Sequence, residues 1–162
     1  TRMVRDYVTD LYTPAAQSAS ALLDNDVAAN LAAWKQRVRQ AWDGVAIDRV
    51  ESDLPNPVAV GSRNVFSAWV KLGSLEPTDV SVQVVSGDVD ADDQIHNVRI
   101  FELAPTDQVD QQGQLFRANL VSAISGSIGY TVRVVPKHPL LHDAAELGLA
   151  TVATAAVAGQ DR

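Results

Sequence analysis

Four carboxylates crowd one short stretch of the chain: Asp88, Asp90, Asp92 and Asp93. The first three have the alternating spacing with which a calcium loop converges oxygens on a hard cation. The match ends at the sixth position, where Asp93 stands in place of the glycine that the sharp turn needs. It fails again at the twelfth, where Arg99 replaces a bidentate carboxylate. The stretch therefore reads as a solvated hairpin tip whose charge discourages edge-to-edge pairing. Imidazoles occur at His96, His138 and His142. His138 and His142 have a helical metal-ligand spacing, but Pro139 interrupts them and no HExxH pattern or acidic third ligand accompanies them, so they read as loop residues. No serine lies in a nucleophile elbow, and Gly126 and Gly129 are too sparse for a phosphate loop. The carboxylate pairs Asp48 with Glu51, and Asp107 with Asp110, have the right groups for acid–base work on a glycosidic bond, but sequence cannot set their separation across a cleft. Exposed loop charge is the plainer reading. Metal and cofactor sites are not expected in this stretch of protein.

Aromatic residues offer a different chemistry. Trp34 and Trp42 share a stripe with Val27, Leu31 and Val38, which predicts core packing. Trp69 alternates with Ser67 and Lys71, opposite Phe66, Ala68 and Val70. It either packs beneath a helical layer, the favoured reading, or lies exposed as a platform on which a sugar ring stacks. Tyr130 is a second candidate for sugar stacking.

These residues must be held by elements that the sequence also outlines. Met3, Val4, Tyr7, Val8, Leu11 and Tyr12 recur at helical spacing up to Pro14, which ends the run. Asp24-Asn25-Asp26 supplies capping oxygens for a second helix that stops at Gly44. The two predict an antiparallel hairpin over residues 1–44 whose apolar stripes need a partner surface. Beyond Gly44 the pattern becomes alternation, with strands expected near Val45–Glu51, Asn64–Leu72, Asp79–Ser86, Ile95–Leu103, Gln114–Ser122 and Ile128–Val135. The second (Phe66, Ala68, Val70, Leu72), third (Val80, Val82, Val84) and fifth (Phe116, Ala118, Leu120) each have one apolar and one more polar face, which predicts antiparallel sheets covered on one side. Asp143–Leu147 favours a helical turn, and Gly148–Val152 is read as a seventh strand, with an Ala-rich continuation that also permits helix. The predicted class is α+β: an N-terminal helical hairpin, then an antiparallel, immunoglobulin-like two-sheet β-sandwich over residues 45–162 with a short C-terminal tail.

The 162 residues suffice for one ordinary domain, burying roughly 70% of the unfolded surface without a staple. Cysteine is absent, which removes disulfides, thiolate metal sites and cysteine nucleophiles and fits a reducing compartment. Thirteen basic against twenty acidic residues give a net charge of -7, which repels phosphate backbones and anionic membranes. Neither nucleic acid nor membrane is an expected partner, and a cytoplasmic location is expected. An uncapped opening helix without an initiator methionine reads as cut from something longer.

Two stretches carry a family resemblance. One is Met3-Val4-Arg5-Asp6-Tyr7 with Leu11-Tyr12-Thr13-Pro14-Ala15-Ala16, continuing to Trp34-Lys35 and Trp42. The other is Gly129-Tyr130-Thr131-Val132-Arg133-Val134-Val135-Pro136-Lys137-His138-Pro139-Leu140 with Glu146-Leu147-Gly148-Leu149. Together they resemble the C-terminal part of bacterial α-glucan (glycogen or maltodextrin) phosphorylases of the high-GC type. The middle, from about Glu51 to Val121, is similar only in its strand-like texture. The resemblance implies a parent enzyme that releases glucose 1-phosphate from α-1,4-glucan with pyridoxal phosphate. That family's cofactor lysine follows Asn-Met, whereas Lys35, Lys71 and Lys137 do not, so no catalytic or cofactor residue carries over. The implied partners are the catalytic domains of the same parent chain and, in an orienting role, α-glucan.

Overall fold

The computed structural model describes residues 25–89, 95–123, 125–153 and 156–157. The first expected helix lies outside the described residues, as do Asp90, Asp92 and Asp93. The second helix, α1, spans Asn25–Ala41, and a 3₁₀ turn over Trp42–Gly44 continues it. Eight strands follow: β1 (Ala46–Ser52), β2 (Arg63–Lys71), β3 (Val80–Val89), β4 (Ile95–Asp110), β5 (Gly113–Val121), β6 (Ile128–Pro136), β7 (Thr151–Val152) and β8 (Ala156–Val157). No helix among the described residues is long and apolar enough to cross a membrane.

The strands are antiparallel and form one continuous sheet in the order β1-β2-β5-β4-β3-β6-β7, with β8 also on β6. Two separate sheets were expected, and β4 is the reason they are not separate. Its first half pairs with β3 as far as Leu103, and from Ala104 it pairs with β5. A sixteen-residue strand thus belongs to both halves of the sheet. The halves curl until the ends meet: Ser52 Oγ on β1 donates to the Tyr130 hydroxyl on β6 at 2.9 Å, and Thr151 Oγ1 reaches the Val45 carbonyl at 3.5 Å.

Period-two alternation places the core. Phe66, Ala68 and Val70 of β2, Val80, Val82 and Val84 of β3, Leu103 of β4, Phe116 of β5, and Tyr130, Val132 and Val134 of β6 form one buried cluster. Burying one large apolar side chain contributes about 1.5–3 kcal/mol, so this cluster is the principal source of stability. The stripe Leu31, Trp34, Val38 and Trp42 joins the same cluster, with Leu75 and Leu147. The apolar face of α1 therefore finds its partner within the chain. Trp69 lies outside the core cluster that α1 joins and stands half-buried on the outer face of β2; the first helix of the hairpin beneath which it was expected to pack lies outside the described residues. The tail combines both expectations, a 3₁₀ turn over Ala144–Leu147 followed by the short strand β7.

The β4–β5 turn has a strict requirement. Gly113 has φ +119°, and a Cβ built there would lie 2.4 Å from the carbonyl oxygen of Val70 on the neighbouring strand. Both the dihedral angle and the contact exclude a side chain. Gly113→Ala is expected to destabilise the fold by at least about 2 kcal/mol, read as a lowered urea midpoint with unchanged slope. Gly61→Ala, where nothing lies within 4 Å, isolates the dihedral effect and should cost less.

Candidate functional site

Two places concentrate polar chemistry. The first is the junction of α1 with the sheet. Glu76-Pro77-Thr78-Asp79 forms a 3₁₀ turn with a capping box, and Asp79 Oδ2 accepts the Glu76 backbone N–H at 3.0 Å. The same buried carboxylate accepts Trp34 Nε1–H at 2.8 Å and both terminal nitrogens of Arg37, at 2.9 and 3.0 Å. Burial alone would raise its pKa. The hydrogen bonds from Arg37, the Glu76 amide and Trp34, with the Arg37 charge, outweigh that and hold it below the ordinary 3.8. Lys35 pairs with Glu146 beside it. The His138 ring packs against Trp34 with centroids 4.7 Å apart. Leu140 N–H donates to His138 Nδ1 at 3.2 Å, which requires that nitrogen to be unprotonated. Burial, and secondarily Lys35, lower the His138 pKa, with Asp79 opposing. Every group here is engaged in holding α1 down, so the junction is a structural clamp.

The second place is the seam where the curled sheet nearly closes. A groove of about 400 Å³ runs there, lined by Asp48, Arg49 and Val50 of β1, Tyr130 and Thr131 of β6, and Val152 among others. β1 carries a bulge: Ile47 pairs with Val70 and Arg49 with Trp69, leaving Asp48 as the extra residue. Lys71 Nζ holds Asp48 at 2.8 Å. The Arg49 guanidinium lies 3.9 Å from the centre of the Trp69 ring and 3.3 Å from Glu51.

Trp69 and Tyr130, the two residues singled out for sugar stacking, thus occupy different settings. Trp69 is on the outer face with Arg49 against its ring. Tyr130 is 8% exposed, its ring edge-on to Phe66 at 5.2 Å, and it lines the groove from the core side. Asp88 accepts Asn97 Nδ2 at 2.8 Å, Asp110 caps Gln112 N–H, and His96 and His142 are exposed. Among the described residues no group of three or more His, Asp or Glu side chains could hold a metal. Sequence reasoning missed Asp79. Its Glu-Pro-Thr-Asp turn signals a cap, but partners 42 and 45 residues away leave no local trace.

Pyridoxal phosphate needs a lysine free to form a Schiff base within a cavity. The three lysines pair instead with Glu146, Asp48 and Glu102 at the surface. The residues of this chain do not fit that cofactor.

A family model described as glycogen phosphorylase C-terminal domain matches residues 42–154, more than half of the chain. The chain belongs to the glycogen phosphorylase C-terminal domain family. Glycogen phosphorylase from Mycobacterium tuberculosis (strain CDC 1551 / Oshkosh) is 42% identical over 155 residues, covering 94% of this chain and 18% of the relative. Glycogen phosphorylase from Mycobacterium bovis is 41% identical over the same span. Maltodextrin phosphorylase from Thermococcus litoralis is 29% identical over 153 residues, 17% of its own length. The chain spans less than a fifth of the length of the relatives it matches, and the seam groove lies within the residues that the family model matches.

Proposed function

We propose that this chain is the non-catalytic C-terminal segment of an α-glucan (glycogen or maltodextrin) phosphorylase acting in the cytoplasm. Its parent chain releases glucose 1-phosphate from α-1,4-glucan with phosphate and carries pyridoxal phosphate outside this segment. The observation that carries the reading is the coverage: nearly all of the chain aligns with under a fifth of a glycogen phosphorylase. The ion-paired lysines support it, since they supply no cofactor anchor. In this reading residues 1–44 seat the domain on the catalytic body, with the outward face of α1 (Ala29, Ala32, Ala33 and Gln36) turned toward it. The curled sheet then serves as an immunoglobulin-like sandwich whose layers share β4.

Phosphorolysis of maltodextrin, measured as glucose 1-phosphate, tests the assignment. The parent chain is expected to turn over, and the 162-residue chain alone to give none. Turnover by the isolated chain would overturn the non-catalytic role, and an inactive parent would overturn the phosphorylase assignment. The alternative is an independent carbohydrate-binding or structural module, favoured if the parent chain lacks a cofactor lysine.

A further inference from the structure

We propose that the seam groove between β1 and β6 is a binding site for α-1,4-glucan, with Asp48 and Arg49 as its hydrogen-bonding residues and Trp69 bracing Arg49 at its margin. The choice of sugar rests on the phosphorylase reading; the site itself rests on the groove.

The volume, about 400 Å³, lies within the range of small-molecule sites. Its charges balance. Asp48 is held by Lys71, and Arg49 by Glu51 and the Trp69 ring, so a charged ligand gains little there. A neutral polyol gains more, because each hydroxyl both donates and accepts. Arg49 offers donors, and the second oxygen of Asp48, the one not held by Lys71, accepts. Ile47, Val50 and Val152 supply the apolar wall that a pyranose C–H face requires. The groove is also built rather than incidental. The bulge at Asp48 sets two consecutive polar residues on it, and side chains from β2 fix both from behind.

Titrating the isotope-labelled 162-residue protein with maltoheptaose, followed by amide and indole NMR, is the test. Saturable shifts are expected in β1, at residues 130–132 and 152–153, and at the Trp69 indole, with those of Trp34 and Trp42 unmoved. Arg49→Ala should weaken binding about tenfold while leaving the melting temperature within a few degrees, since the residue is half-exposed. Asp48→Asn provides a second variant with the same expectation. No saturable shift at millimolar sugar, shifts located elsewhere, or affinity unchanged in both variants would overturn the site. Those results leave the phosphorylase assignment standing if the parent still turns over. Tighter binding of a β-1,4-linked oligosaccharide would overturn the choice of sugar and count against the phosphorylase reading as well.

Discussion

A chain begun at Trp42, where the family match starts, is expected not to fold, in contrast to the full sequence. Leu31, Trp34 and Val38 are all buried in the one core cluster, Val38 with no exposure at all. Deleting a single buried large side chain costs about 2–5 kcal/mol, and removing the helix deletes three together with its capping of the sheet end. The sum is comparable with the about 5–15 kcal/mol that holds an average domain folded. Circular dichroism with thermal melting distinguishes the two chains. A cooperative, near-native melt for the chain begun at Trp42 would show that α1 is an accessory rather than part of the fold.

Asp79→Ala is expected to destabilise the protein by about 3 kcal/mol or more. It leaves the Trp34 N–H and the Glu76 amide without an acceptor and the Arg37 charge without its partner. Arg37→Ala should cost far less, about 1 kcal/mol, because that side chain is half-exposed and solvent screens it. The pH profile gives an independent check. Asp79 has a folded pKa below its ordinary 3.8, so its contribution is complete above that value and is lost as pH falls through the lower folded one. His138, depressed from 6.5 chiefly by burial, stabilises the fold above that value. Its contribution is lost earlier, as pH falls toward its own folded pKa. Urea midpoints measured from neutral to about pH 3 should therefore decline in two stages. His138→Phe should flatten the upper stage and Asp79→Asn the lower; a profile identical in all three proteins would refute both assignments.

The strands were legible because burial on one face imposes alternation, and the expected spans agree with the observed ones to within a few residues except at β4. There the expected strand ends at Leu103, whereas the observed one continues to Asp110. The strand runs on because it changes partners after Leu103, and Pro105 sits opposite Phe116 just before the register shift that leads to Val109. Partner exchange is a tertiary event with no local signature, so sequence suggested two sheets where the chain makes one. α1 was legible from its stripe, but not which surface it covers. Trp69 was rightly separated from the core tryptophans, yet its neighbour Arg49 lies across a strand pair whose bulge no local pattern reveals. The clamp at Asp79 was invisible for the same reason, as it joins elements 42 and more residues apart.

The strand shared by both halves of the sheet bears on how the molecule comes apart. Two stacked layers can slide or separate while each keeps its own ladder, but here any such slippage must tear the hydrogen bonds of one uninterrupted peptide segment. Amide protons on either side of Leu103 should then exchange with solvent through a common opening event, and a pulling force applied across the domain should meet one barrier.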